Sequence, residues 1–191
     1  LDNNDYAPAI NDLANLKRQS GNNGEAVNLF KQAIQADPQF VQAYTGAAAS
    51  SLALGDLDQA ESFAIRAIEI NAHAPDINEI LGITFQNKKN FKQAIESYRK
   101  ELAINPQSNT SLLNLGFLLL QQGKAAAAIE PLLRAAAINP SEQCSLLLAQ
   151  AYQSIRNLKE AISEYRKIDL SNTQNKIIPF NMGLCLLNNG N

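Results

Sequence analysis

The sequence predicts an all-α chain built as a stack of antiparallel helix pairs, and three residue series in one register predict it. Ala26, Ala60, Ala94 and Ala128 recur at intervals of 34, and Ala161 follows after 33. A second small-residue series, Ala14, Ala48, Gly82, Gly116, Ala149 and Gly183, runs twelve residues ahead of the first. Pro38, Pro106 and Pro140 keep the same frame. Self-similarity at such a period marks a repeat architecture, in which each unit buries its apolar face only by stacking on its neighbours.

Each series has a physical reason. Two helices joined by a short turn cross closely, and small side chains let the backbones approach. The series from Ala14 to Gly183 supplies the small residue on the first helix of each pair, and the series from Ala26 to Ala161 supplies it on the second. Leu13, Leu81, Leu115, Leu148 and Met182 flank the first point; Phe30, Tyr98, Leu132 and Tyr165 lie beyond the second. Their spacing is helical, so they are expected to fill the space between helices. Gly21, Gly55, Gly123 and Gly190 fall in the turns, and the prolines follow the second helix, which they cannot continue.

Leu115-Gly116 with Leu119, then Gly123, Ala128, Leu132, Ala135 and Pro140, resembles the tetratricopeptide repeat, and the resemblance covers residue 7 to the end. It implies a right-handed superhelical solenoid, with first helices lining a concave groove and second helices forming the outer wall. A lead-in, 1–6, then precedes repeats at 7–40, 41–74, 75–108, 109–141 and 142–175, and 176–191 reads as the first helix of a truncated sixth repeat. Either further repeats or another domain would follow it, or another chain would cover that edge.

Several positions depart from the pattern. Lys17 and Ser51 stand where Phe85, Leu119 and Tyr152 stand later, as expected of less well packed end repeats. Ala72 and Thr173 replace the junction proline. Glu101 takes the place of Ala33, Ala67 and Ala135, and is expected to snorkel or to pair with Lys100 or Arg99. Pro131, early in a second helix, predicts a slight bend.

Composition narrows the function classes. A formal net charge of −2 and a pI near 5.4 lack the basic footprint of a nucleic-acid binder. No run of 18 apolar residues is present to span a bilayer. Cys144 and Cys185, two cysteines far apart, suggest no disulfide framework, so a cytoplasmic, reducing setting is expected. The single histidine, His73, sits in a loop without Cys or carboxylate partners at ligand spacing. Tyr98-Arg99-Lys100 and Tyr165-Arg166-Lys167 read as two copies of one solvated outer face. No catalytic residue, metal site or cofactor is expected.

The resemblance places binding on the inward face of the first helices. The residues assigned to that groove are Asn11, Asn15 and Arg18, then Thr45, then Glu79 and Ile83, then Leu113, Asn114 and Phe117, then Leu146 and Gln150, and finally Asn181 and Leu184. Small residues at Gly46 and Ala49 are expected to leave room in the second repeat. Ile80, Leu120, Leu147 and Phe180 extend the lining into an apolar strip suited to a partner helix or apolar peptide. The basic clamp by which some such proteins grip chaperone C-termini is missing, because its slots hold Asn11, Asn15, Gly46, Asp76 and Ile80. Asn114 and Asn181 share one inner slot, a partial likeness to the asparagine ladder of O-linked N-acetylglucosamine transferases. The expected function is a non-catalytic scaffold for a protein or peptide. The alternatives are a substrate-recognition arm of a larger enzyme, such as a glycosyltransferase, and self-association through the uncapped C-terminal edge.

Overall fold

The computed structural model of the chain describes residues 6–168 and 177–188. Thr173, Gly190, the first five residues and the last three lie outside the described residues. Among those described, every regular element is helical, and the chain divides into two compact units, 1–105 and 106–191.

The first unit holds α1 (Ala7–Gln19), α2 (Asn23–Ala36), α3 (Val41–Ala53), α4 (Leu57–Ile70), α5 (Ile77–Asn87) and α6 (Phe91–Ile104). Each odd helix packs on the even helix that follows it, while α2 also packs on α3 and α4 on α5. The odd helices touch one another in sequence, α1 to α3 and α3 to α5. They therefore form one layer and the even helices the other. The second unit repeats the scheme with α7 (Asn109–Gln121), α8 (Ala125–Ile138), α9 (Glu142–Ser154), α10 (Leu158–Tyr165) and α11 (Ile177–Asn188). α8 continues through Pro131.

The small-residue series sit where the helices cross. Ala14, Ala48 and Ala149 on first helices, and Ala26, Ala60, Ala94, Ala128 and Ala161 on second helices, all have 0% exposure. A Cβ at Gly82 would stand 2.5 Å from the Tyr98 ring, and one at Gly116 would stand 2.5 Å from Leu132. The second helix has pushed a large side chain into the space that glycine leaves. Gly183 differs, since nothing approaches its missing Cβ within 4 Å. Leu13 also departs from expectation: it is 45% exposed, whereas Leu81, Leu115 and Leu148 in the same slot are buried. α5 and α9, which carry Leu81 and Leu148, each pack on the second helix of the preceding repeat, and α1 has no such helix among the described residues.

The turns within each pair share one geometry. Residues 21, 55, 89, 123 and 156 all have positive φ, and the following N–H closes on a carbonyl five residues back, as in Asn22 to Lys17 and Asn90 to Phe85. This is the double-bonded helix stop that favours glycine. Lys89 (φ 60°) and Arg156 (φ 61°) adopt it without one, at a steric cost of about 1 kcal/mol each. Ser108 and Ser141 cap α7 and α9 by accepting from Ser111 N and Cys144 N at 3.1 and 3.2 Å, and Asp56 caps α4 by accepting from Gln59 N at 3.0 Å.

Two alanine substitutions at one repeat position should therefore have opposite signs. Gly82→Ala must displace Tyr98 and is expected to cost about 1–3 kcal/mol. Gly183→Ala meets nothing and should add about 0.5–1 kcal/mol through helix propensity. Urea denaturation of the two variants checks both values.

Candidate functional site

The inner layer of the first unit encloses a hollow of about 520 Å³. α1 contributes Asn15 and Arg18, α3 contributes Thr45, Gly46 and Ala49, and the start of α5 contributes Asp76, Glu79 and Ile80. The floor is low because α3 carries small side chains, and Gly46 serves it by its backbone. That residue is buried, and the Phe30 ring of α2 occupies the position its Cβ would take. The room lies above Thr45 and Ala49, both half-buried. Asn11, one turn before Asn15, is only 6% exposed, and its Oδ1 has no hydrogen-bond partner. Ile80 lines the hollow with only 8% of its surface exposed, and Leu147, at 6% exposure, belongs largely to the core.

Glu101 explains how the acidic end of the hollow is built, and it corrects the expectation for this residue. It neither snorkels nor pairs with Lys100, which bonds Glu96 at 2.9 Å. It is 1% exposed, and its carboxylate accepts from the backbone N–H groups of Asn78 and Glu79 at the N-terminus of α5. The residue at the cap position, Asp76, has φ 62° and makes no side-chain cap bond. A carboxylate from α6 thus replaces the missing local cap and meets the positive end of the helix dipole. Burial pushes the Glu101 carboxyl above the ordinary glutamate range; the charges of Asp76 and Glu79 add to the rise, and the backbone bonds oppose it.

In the second unit, Leu113, Asn114 and Phe117 on α7 and Leu146 and Gln150 on α9 are half-buried. Leu146 also packs against the core cluster around Tyr165 and Cys185. An open depression lies between Leu120, Gln121, Gln150, Gln153 and Ser154. On α11, Leu184 is 37% exposed and Asn181 is half-buried, its side chain meeting the Tyr165 hydroxyl. Asn181 therefore has a partner within the fold, which weakens its likeness to a backbone-gripping ladder. Ile83, on α5, is half-buried but does not line the hollow.

One set of polar contacts went unnoticed in the sequence. Tyr98 Oη donates to Gln86 Oε1 at 2.9 Å, and Tyr165 Oη donates to Gln153 Oε1 at 2.8 Å. Where the second helix instead carries Phe30, Ala64 or Leu132, the facing slot holds Arg18, Leu52 or Leu120. The twelve-residue Gln-to-Tyr spacing was the available signal. Both cysteines are free and buried, and no grouping of three His, Cys, Asp or Glu side chains fit to hold a metal occurs among the described residues. No helix among them is long and apolar enough to cross a membrane.

Comparison with known proteins agrees with this architecture. A tetratricopeptide-repeat family model matches residues 17–82, and the model for subunit 3 of the anaphase-promoting complex, or cyclosome, matches residues 87–168. The BBSome complex member BBS4 of Bos taurus is 28% identical over 134 residues, which are 69% of this chain and 25% of that protein; the chain thus spans about a quarter of its relative. The structure of PilF from Pseudomonas aeruginosa superposes with a TM-score of 0.78 at 17% identity, covering 97% of this chain and 91% of that one. A thermophilic tetratricopeptide-repeat protein of Thermus thermophilus gives a TM-score of 0.63 at 20% identity, over 95% and 99% of the two chains. At these identities the structural likeness concerns the fold alone.

The buried Glu101 carboxyl has a signature in pH. Because its folded pKa is raised, its contribution to stability is fully present below the ordinary glutamate value and is lost as pH rises through the raised one. Subtracting the stability profile of Glu101→Gln from that of the parent isolates the effect. The difference should favour the parent increasingly as pH falls across that window, and two parallel urea-derived profiles would contradict the assignment.

Proposed function

Since the chain belongs to the tetratricopeptide-repeat family, a fold that serves as a protein-interaction scaffold, we propose that it is a non-catalytic module holding a peptide or partner helix against the inner faces of its first helices. The carrying observation is the state of the inner-slot side chains. Thr45, Glu79, Ile83, Leu113, Asn114, Phe117, Leu146 and Gln150 are all half-buried, so each is anchored by packing yet still presents surface. Side chains pre-set in this way lose little further freedom when a partner docks. The names of the relatives suggest the setting: a BBSome complex member and an anaphase-promoting-complex subunit are parts of multi-subunit assemblies. The partner is accordingly read as another subunit, met in the cytoplasm.

A second reading has its own observation. On α11, Phe180 is 65% exposed and Leu187 is 74% exposed, with Leu184 between them. Apolar surface of this kind favours association, and in this reading a second copy of the chain covers it.

Two measurements test these readings. Leu113→Glu/Phe117→Glu, confirmed as helical by circular dichroism, should lose a partner that the parent chain captures from native lysate; equal capture by both proteins would remove α7 from the binding surface. Light scattering over a concentration series should show association that Phe180→Asp/Leu187→Asp abolishes, and a strictly monomeric parent at high concentration would end the second reading.

A further inference from the structure

We propose that the hollow of the first unit is a socket for one aromatic side chain with a polar edge, tyrosine or tryptophan, presented by a partner protein. The proposal rests on the scaffold reading and names the residue by which the partner is anchored.

Space comes first. Thr45 and Ala49 on α3 stand in the slots that Leu113 and Phe117 fill on α7. The inner face of the second unit thus carries an aromatic ring of its own, and in the first unit the equivalent place is open. Both small residues are half-buried, so they form a floor without filling the space above it. Gly46 adds only backbone to that floor, its Cβ position being taken by the Phe30 ring. At about 520 Å³ the hollow is within the range of ligand-binding clefts, roughly 300–1,000 Å³. Among single residues the aromatic ones bring the most surface to such a space, about 150–250 Å² each.

The lining selects a ring with a donor at its edge. Val41, Ala49, Pro75 and Ile80 give the hollow apolar surface, which suits the faces of a ring. The Thr45 hydroxyl is spent within its own helix, where it donates to the Val41 carbonyl at 3.2 Å. Asn15 and Gln42 bring amides to the same space, and no hydrogen bond engages either side chain among the described residues. Each amide oxygen can accept from a phenol O–H or an indole N–H. Tyrosine and tryptophan use both kinds of surface at once, whereas phenylalanine leaves the amides unanswered.

Charge disfavours an ionic ligand. Arg18 borders the hollow from α1, and Asp76 and Glu79 border it from α5, so a charged side chain of either sign meets a like charge. Glu79 already interacts within the fold, and a cation entering beside it gains correspondingly little. A neutral ring meets no like charge. Its electron-rich face can lie against the Arg18 guanidinium, which forms no ion pair among the described residues.

The test is selection of a phage-displayed random peptide library on the intact chain, followed by fluorescence anisotropy of labelled winners. Winners should share a Tyr or Trp whose replacement by Ala weakens binding roughly tenfold or more. Thr45→Leu/Ala49→Phe, which gives α3 the side chains of α7 and is checked by circular dichroism, should weaken binding by a similar factor. Thr45→Gln, a single change at a half-buried position, replaces that variant if the double change unfolds the chain. Winners without Tyr or Trp, or binding that survives the filled hollow, would overturn the proposal; if such binding were lost in Leu113→Glu/Phe117→Glu, the scaffold reading would survive. A library that yields no winner, or winners indifferent to every variant, overturns both.

Discussion

Close approach of paired helices is the constraint on which this structure depends. At Gly82 and Gly116 the second helix places Tyr98 and Leu132 where a Cβ would have been. The large side chain and the missing one form a single packing unit, recurring with the period of the sequence. Alanines with no exposure complete the crossings elsewhere. Once backbones meet this closely, the turn has little freedom, and all five turns within pairs take the same left-handed stop whether or not glycine is present. The steric cost at Lys89 and Arg156 is carried by the packing on either side.

The same scaffold then supports two different inner faces. In the first unit, small residues on α3 leave a polar hollow bordered by Arg18 on one side and Asp76 and Glu79 on the other. In the second, Leu113 and Phe117 close the equivalent slots with apolar surface. Because the first helices touch one another in each unit, inner-slot side chains stand side by side. Side-chain size at a few positions, with the backbone plan unchanged, separates a polar surface from an apolar one.

The helical pairing was legible because it rests on short-range periodicity repeated many times, and chance does not keep Ala26 through Ala161 in frame. What the sequence hid depends on neighbours at long separation. Glu101 looks anomalous in an alanine slot, and only the fold shows the uncapped start of α5 beside it. Leu13 carries the pattern of a core residue, but a slot is buried only when a helix covers it. Gly46 borders the hollow, but the sequence does not show that the Phe30 ring stands where its Cβ would be. Asn11, Ile80 and Leu147 are buried because of what packs on their helices, which periodicity within one helix does not reveal.

The second helix pair has an energetic consequence of its own. Position 64 holds alanine where the other second helices hold Phe30, Tyr98, Leu132 and Tyr165, and α3 buries the hydroxyls of Ser50 and Ser51 without partners. Each methylene missing there forgoes about 0.8 kcal/mol, and each unsatisfied hydroxyl costs about 1–3 kcal/mol. The small residues beneath the hollow are thus kept at a cost in stability to the pair that carries them, and neighbouring repeats, which hold each unit in a linear stack, supply what that pair forgoes.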